Sequence, residues 1–376
     1  MAVEALQFFE ATASRLNNPE IQAWKQAGRH VIGTVCSNIP DEVLYGAGLL
    51  PLRLRAPGLQ DTPSADSHLH KINCSYSRSV LELLLRGDLE FLDGLVTTNT
   101  CDHLLRLAGE LQDKAGFPFL HYFSMYHTLG EAAGEWFIRE MEKLTRHLEE
   151  SFATKISDEG LRQSISVYNR SRRLMAHLNE LRKNDPPPLS GAEYMQIVLT
   201  GMSIPREQFN AKLEVLIPQL EERRVGNAGR PRLMIIGGSC DVPEFVGFIE
   251  SQGATVVADQ LCFGMRHYQG LIEEDTESPL QAIGARYTSR VVCPAIMNGF
   301  DYSYRILREI IRGWHIDGIV CARLKFCDHW AGFRKLLSEE LRADGPALLD
   351  LEREYGTTGS GQISTRVQAF LEMLKI

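Results

Sequence analysis

Two stretches decide the fold of this chain, Asp93-Gly-Leu-Val-Thr-Thr-Asn-Thr-Cys-Asp-His103 and Asp317-Gly-Ile-Val-Cys-Ala-Arg-Leu-Lys-Phe-Cys-Asp-His329. Each is a short apolar strand that follows an Asp-Gly turn and ends in Cys-Asp-His. A residue just past the carboxyl end of a buried strand stands where open α/β sheets bind their ligands. Two such cysteines, one from each half of the chain, predict a site between two related domains.

The order of elements around the first stretch predicts an α/β unit. Residues 31–36 form an apolar run that is typical of a buried strand, and Ser37 to Pro40 break it. Asp41 and Glu42 then open a helix with acidic residues in its first turn, as the helix dipole favours. Residues 50–54 follow as the next strand, and a helical run over 77–85 precedes the first Asp-Gly strand.

The C-terminal half repeats this order. Residues 232–237 read as a strand, Pro243 opens a helix, and residues 255–259 form the next strand before the second Asp-Gly strand. Strands that alternate with helices of this length indicate parallel sheets. The sequence therefore predicts an α/β fold with two Rossmann-like, doubly wound parallel-sheet domains related by duplication.

The segment between the halves has a different character. Residues 130–226 show helical periodicity, a rigid Pro-rich break over 185–188, and a capping box that starts at Ser190. We expect an N-terminal domain over 1–129, a helical connector over 130–226 and a C-terminal domain over 227–376.

Composition excludes several classes of protein. The 376 residues are 44% hydrophobic and 23% charged, which is ordinary for a globular chain of two or three domains. A net charge of −8 without basic runs argues against nucleic-acid binding. No apolar run reaches the length of a membrane span, and no export signal is visible, so we expect a cytoplasmic protein with reduced thiols.

The eight cysteines limit the possible chemistry. None forms a Cys-x2-Cys pair, which argues against a zinc site or a thioredoxin-type redox pair. A glycine-rich dinucleotide fingerprint and a Walker A motif are also missing, so the chain is not expected to hydrolyse ATP itself. Widely spaced cysteines that converge in space suit an iron–sulfur cluster, although a single buried cysteine is often only a small hydrophobe.

Several motifs resemble those of 2-hydroxyacyl-CoA dehydratase and benzoyl-CoA reductase subunits. They are Cys36-Ser-Asn-Ile-Pro-Asp-Glu-Val-Leu-Tyr-Gly-Ala-Gly-Leu-Leu-Pro51, Cys74 with Leu92-Asp-Gly-Leu-Val and Cys101-Asp, Lys325-Phe-Cys-Asp328, and Gly361-Gln-Ile-Ser-Thr-Arg-Val-Gln-Ala-Phe370. The motifs extend from about residue 30 to the C-terminus. Their combination is specific, whereas each motif alone is weak.

The resemblance implies a cofactor and partners. It implies one [4Fe–4S] cluster held by Cys74, Cys101 and Cys327, which leaves one iron open for water or substrate oxygen. It also implies a paralogous larger cluster-bearing subunit, a separate ATP-hydrolysing iron–sulfur activator, and an acyl-CoA thioester as substrate. The segment 351–366 is more similar to the benzoyl-CoA reductase branch, which reduces the thioester through a ketyl radical. The alternative is a dehydratase in which that radical expels water.

Further alternatives remain open. Some relatives hold a double cubane with six cysteines, and Cys262 and Cys293 match positions in such branches. The interval 75–100 contains no cysteine, which favours a single cubane, and we assign Cys36, Cys240 and Cys321 to structural roles. An electron-relay subunit, or a metal-free protein with ordinary thiols, would also carry this fold.

Candidate acid–base and substrate-binding residues lie near the cysteines. His103 and His329 could donate protons, although a histidine satisfied by its helix or by solvent is the more common case. Asp102 and Asp328 are expected to cap helices. We expect contacts with the substrate from four side chains: Ser37, Asn38, Glu42 and Arg78.

Overall fold

The computed structural model describes residues 4–226, 228–289, 293–343 and 345–374. Over these residues the chain forms 15 α-helices and eight strands, and the strands make two four-stranded sheets. Every strand pair is parallel. The predicted α/β class with two Rossmann-like domains is therefore confirmed.

The two sheets have the same strand order. The first sheet contains β1 (Val31–Thr34), β2 (Leu50–Arg53), β3 (Gly94–Thr98) and β4 (Phe119–Phe123), in the order β2-β1-β3-β4. The second contains β5 (Arg232–Gly237), β6 (Thr255–Gln260), β7 (Gly318–Leu324) and β8 (Ala347–Arg353), in the order β6-β5-β7-β8. In each sheet the chain reverses its direction of winding between the first and third strands. Ligands of open α/β sheets bind beside the carboxyl ends of strands at such a point.

Helices cover the sheets and fill the interval between them. The N-terminal half contains α1 (Glu4–Ala13), α2 (Pro19–Gln26), α3 (Asp41–Gly46), α4 (Ser75–Leu85) and α5 (Asp102–Lys114), with a short 3-10 helix at Ala65–Ser67. Four helices follow: α6 (Glu131–Phe152), α7 (Asp158–Arg182), α8 (Gly191–Gly201) and α9 (Arg206–Leu220). The C-terminal half contains α10 (Pro243–Ser251), α11 (Met265–Tyr268), α12 (Pro279–Ser289), α13 (Phe300–Gly313), α14 (Asp328–Leu341) and α15 (Gly361–Leu374). Within the described ranges, no helix has the length and apolar character that crossing a membrane requires.

The repeated Asp-Gly turn performs the same structural task in both halves. The Asp93 carboxylate accepts the backbone N–H of Val31 at 2.8 Å, and the Asp317 carboxylate accepts that of Arg232 at 2.7 Å. Each aspartate thus fixes the first residue of the neighbouring central strand. Gly94 is required for a second reason, since a Cβ atom there would lie 2.6 Å from the carbonyl oxygen of Phe119.

A tyrosine after β8 joins the two halves. The Tyr355 hydroxyl donates to the Asp241 carboxylate at 2.6 Å and accepts the backbone N–H of Ala56 at 3.0 Å. The backbone N–H of Tyr355 donates to the Ser75 hydroxyl at 2.8 Å, at the start of α4. These buried bonds connect loops that follow β2 and β5, close to the region where the cysteines gather.

Candidate functional site

Three cysteines occupy equivalent local positions. Cys74, Cys101 and Cys327 are the N-cap residues of α4, α5 and α14. The positive end of each helix dipole therefore lies at a sulfur, which favours a thiolate over a thiol. Asp102 and Asp328, expected to be the caps, are instead the first residues within their helices, because the cysteine one position earlier takes the capping position.

Six of the eight cysteines line one cavity of about 110 Å³. Cys36, Cys74 and Cys101 come from the N-terminal half, and Cys262, Cys293 and Cys327 come from the C-terminal half. We call this space the thiol cavity. The two remaining cysteines, Cys240 and Cys321, are fully buried elsewhere, the latter within β7 as expected. Cys36, which the sequence placed in a structural role, instead contributes to the cavity wall.

The cavity thiols influence one another electrostatically. Burial raises the pKa of Cys101 well above its ordinary value, and the neighbouring Cys74 and Cys327 raise the pKa further. Burial and Cys74 likewise raise the pKa of Cys327 to about 12. The backbone N–H of Leu104 opposes the increase at Cys101. Burial and neighbouring sulfurs therefore oppose the helix dipoles at Cys101 and Cys327, and binding of a metal would displace the thiol protons because it requires thiolates.

Two buried arginines give the thiol cavity its fixed charge. Arg53, at the end of β2, is 6% exposed, and Arg266, in α11, is 9% exposed. Arg266 donates from Nη2 to the sulfur of Cys262 at 2.7 Å. Arg53 donates from Nη1 to the Tyr76 hydroxyl at 2.6 Å. Among the described residues, no aspartate or glutamate lines the cavity.

Four of the predicted polar site residues lie in the cavity wall: Ser37, Asn38, His103 and His329. The Ser37 hydroxyl donates to the carbonyl oxygen of Cys262 at 2.9 Å, which links the two halves. His103 Nε2 lies 2.8 Å from the carbonyl oxygen of Phe326. Since that carbonyl can only accept, Nε2 carries the hydrogen and Nδ1 is left as an acceptor. Burial lowers the pKa of His329, and the nearby Asp102 opposes this effect.

Glu42 and Arg78 do not line the cavity. Glu42 is fully buried, forms an ion pair with Arg172 of α7 and accepts the Tyr287 hydroxyl at 2.9 Å. Burial alone would raise the pKa of Glu42, but the charges of Arg172 and Arg286 and the hydrogen bond from Arg172 together lower it to about 2. Arg78 forms an ion pair with Asp66 at 2.7 Å. The geometry thus gives both side chains protein partners.

Sequence reasoning did not identify the cavity arginines. One feature of the sequence could have identified Arg53: it is a charged residue at the end of an otherwise apolar buried strand. The spacing of Arg266 could have identified it, because it follows Cys262 by four residues and its side chain can contact that cysteine. Tyr287, which also lines the cavity, lies within α12, and nothing in its local sequence distinguishes it from an ordinary buried helix residue.

The donor set fits an iron–sulfur cluster better than a single ion. Thiolates are soft ligands that select iron–sulfur clusters, zinc or copper(I). Within the described part of the chain, no three cysteine, histidine or acidic side chains gather closely enough to hold one metal ion. A cluster spreads its thiolates over several irons, so its ligands stand further apart than those of a single ion. The cavity also has room for a group much larger than one water molecule.

Comparison with known proteins identifies the family of the chain. Residues 36–374 match the family model described as 2-hydroxyglutaryl-CoA dehydratase, D-component. The chain is 26% identical to a benzoyl-CoA reductase subunit of Thauera aromatica, over 85% of this chain and 84% of that protein. It is 22% identical to the beta subunit of (R)-2-hydroxyglutaryl-CoA dehydratase of Acidaminococcus fermentans, over the full length of both. It is also 22% identical to the beta subunit of lactoyl-CoA dehydratase of Anaerotignum propionicum, over 93% of each.

Proposed function

Because the chain belongs to the 2-hydroxyglutaryl-CoA dehydratase D-component family of enzyme subunits, we propose that it is a cluster-bearing subunit of a low-potential iron–sulfur enzyme. The observation that carries the proposal is the thiol cavity, in which six cysteines from both halves line one space. Cys74, Cys101 and Cys327 would hold a [4Fe–4S] cluster there. Such a cluster supplies single electrons at low potential.

The chain's own residues would bind and orient an acyl-CoA thioester beside these cysteines. Ser37 and Asn38 are proposed to contact the acyl group or the thioester carbonyl, because they lie in the cavity wall beside Cys36. His103 and His329 are proposed to transfer protons, since both imidazoles line the same space. His103 Nδ1 has no hydrogen-bond partner among the described residues, so it is the atom that can receive a proton or a substrate hydrogen bond.

The proposed reaction is that of a benzoyl-CoA reductase-type enzyme. A thioester would accept one electron to form a ketyl radical, and a second electron with protons would give the reduced ring. A paralogous subunit is one proposed partner, supported by relatives whose names describe subunits. A separate ATP-hydrolysing activator is the other proposed partner. The alternative is 2-hydroxyacyl-CoA dehydration, in which the radical expels water and the electron is recycled.

The number of cysteines in the thiol cavity favours a second candidate cofactor, a double cubane. A single cubane uses three thiolates and leaves Cys36, Cys262 and Cys293 in the wall without a bond to iron. A double cubane would use all six. The lining of the cavity supports this candidate more strongly than the cysteine spacing does.

Anaerobic purification followed by iron and sulfide analysis tests these proposals. We expect a brown protein with about four irons per chain for the single cubane and about twice that for the double cubane. A colourless, iron-free protein from cells that assemble clusters would contradict both. Incubation with partner subunit, activator, ATP and reductant then separates dienoyl-CoA from enoyl-CoA products. Absence of both products in a loaded complex would exclude the reductase and the dehydratase.

A further inference from the structure

Two positively charged side chains, Arg53 and Arg266, line the thiol cavity. The chain carries a net charge of −8, yet the described cavity lining contains two arginines and no carboxylate. Arginine stays protonated in proteins, so both guanidinium groups bring a permanent positive charge to the cavity wall. Positive charge at a buried wall favours negative charge among the contents of the cavity.

Arg53 is held rigidly in this position. Its guanidinium carbon lies 4.6 Å from the ring centroid of Phe263 and 5.4 Å from that of Tyr76. Nη1 donates to the Thr34 carbonyl oxygen at 3.2 Å as well as to the Tyr76 hydroxyl. Its buried Nε has no hydrogen-bond partner among the described residues. Asp41 and Asp241 interact electrostatically with Arg53, but neither carboxylate lines the cavity.

Arg266 is placed against the sulfurs themselves. Its Nη2 donates to Cys262 at 2.7 Å, and its guanidinium carbon lies 5.9 Å from the ring centroid of Trp330, another residue of the cavity wall. Cys36 and Cys262 also interact electrostatically with Arg53. The two arginines thus approach the same group of sulfurs, one from β2 and the other from α11.

We infer that Arg53 and Arg266 are positioning residues that raise the reduction potential of the cluster in the thiol cavity. Reduction adds one negative charge, and a fixed positive charge at low dielectric stabilises the reduced form more than the oxidised form. The inference rests on the proposed function, because it requires a cluster. Under this inference, the chain itself sets part of the reduction potential that determines whether its cluster accepts an electron from the activator.

The test is a mediated redox titration of the loaded protein, followed by electron paramagnetic resonance. Arg53→Gln and Arg266→Gln should each lower the midpoint potential, and the double variant should lower it further. Arg53→Lys and Arg266→Lys keep the charge and should stay close to the parent protein. Arg182→Gln is the matched control, since Arg182 is 1% exposed and lies 3.5 Å from the ring centroid of Tyr194, outside the thiol cavity.

Each outcome decides between the inference and its premise. An unchanged potential in both Gln variants with full iron content would overturn the inference and leave the proposed function intact. Loss of iron from the Gln variants but not from the Lys variants would support a requirement for positive charge. Loss of iron from both sets would overturn it, because shape rather than charge would then be decisive. Absence of iron from the parent protein would contradict both the proposed function and this inference.

Discussion

Glu42 and Arg172 form an ion pair in which the side chains are 0% and 4% exposed, and the pair connects α3 to α7. Removal of one partner leaves the other charge buried without compensation. We expect Glu42→Gln to lower the free energy of unfolding by about 3–5 kcal/mol. Urea denaturation followed by circular dichroism measures this change.

An exposed pair provides the matched control for that substitution. Glu135 and Arg139 lie one turn apart on α6, with side chains 63% and 56% exposed. Glu135→Gln should change the free energy of unfolding by less than about 1 kcal/mol, because solvent screens the pair. Equal losses from the two substitutions would show that burial does not determine the strength of the Glu42 pair.

Gly94 should not tolerate a side chain. In Gly94→Ala the new methyl group would meet the carbonyl oxygen of Phe119, which belongs to the neighbouring strand β4 and cannot rotate away. We expect a loss of about 1–3 kcal/mol, as for other overpacked positions. Thermal and urea unfolding of the variant would measure it.

Gly109 is the corresponding control. It lies on the exposed side of α5, and a Cβ atom there would meet nothing within 4 Å. Gly109→Ala should stabilise the protein by about 0.5–1 kcal/mol, because alanine restricts the unfolded chain more than glycine does. Destabilisation by both substitutions would argue against steric contact as the cause at Gly94.

Substitution of the helix-capping cysteines should remove the proposed cluster. We expect Cys74→Ser, Cys101→Ser and Cys327→Ser each to lose most of the bound iron, since a serine hydroxyl is a poor replacement for a soft thiolate. Cys321→Ala is the control, because this side chain is buried within β7 and should leave the iron content unchanged. Full iron in all three Ser variants would refute this ligand assignment.

The same assay distinguishes the two cluster types. For a single cubane, Ser variants of the other cavity thiols should retain iron. For a double cubane they should lose it. The substitutions are Cys36→Ser, Cys262→Ser and Cys293→Ser, and iron content per chain is the readout.

His121 should make the fold sensitive to mild acid. His121 Nδ1, on β4, lies 3.1 Å from His147 Nδ1, on α6, and burial and His147 lower the pKa of His121 from 6.5 to about 4. The folded state therefore binds this proton less tightly than the unfolded chain does. The free energy of unfolding is therefore not reduced by this group above pH 6.5. It falls by on the order of 3 kcal/mol as the pH decreases toward 4.

His121→Phe should abolish this part of the pH dependence. The phenyl ring preserves the packing against Phe119, whose ring centroid is 6.3 Å away, but it cannot titrate. Urea midpoints at pH 7.5 and pH 5 should converge in the variant relative to the parent. An exposed histidine, as in His177→Gln, should leave the difference between the two pH values unchanged.

The sequence predicts the buried strands better than the partly exposed ones. β1, β2 and β6 are buried throughout, so each appears in the sequence as a largely apolar run. β4 and β8 escaped notice because several of their residues are exposed or half-buried. Periodicity alone cannot separate such a strand from a loop.

Site residues that belong to a recognisable sequence motif could be predicted from the sequence. Cys101 and Cys327 could be recognised because each follows a repeated strand. Cys36 and Arg53 could not be assigned to the site, because their role depends on which strand ends meet in space. Glu42 carries a recognisable helix-start signal, but its buried partner Arg172 is 130 residues away in the chain.

The use of cysteine as an N-cap has a consequence for how the protein is assembled. A helix start normally receives an oxygen acceptor from serine, threonine, aspartate or asparagine, and α4, α5 and α14 have no such side-chain hydrogen bond from their caps. A cluster held by these cysteines, as proposed, would replace their protons and place thiolates at the three helix starts. Binding of the cluster would then also stabilise these first turns, because a ligand that binds only the folded state stabilises it. Hydrogen exchange at the first turns of α4, α5 and α14, with and without iron, would measure that coupling.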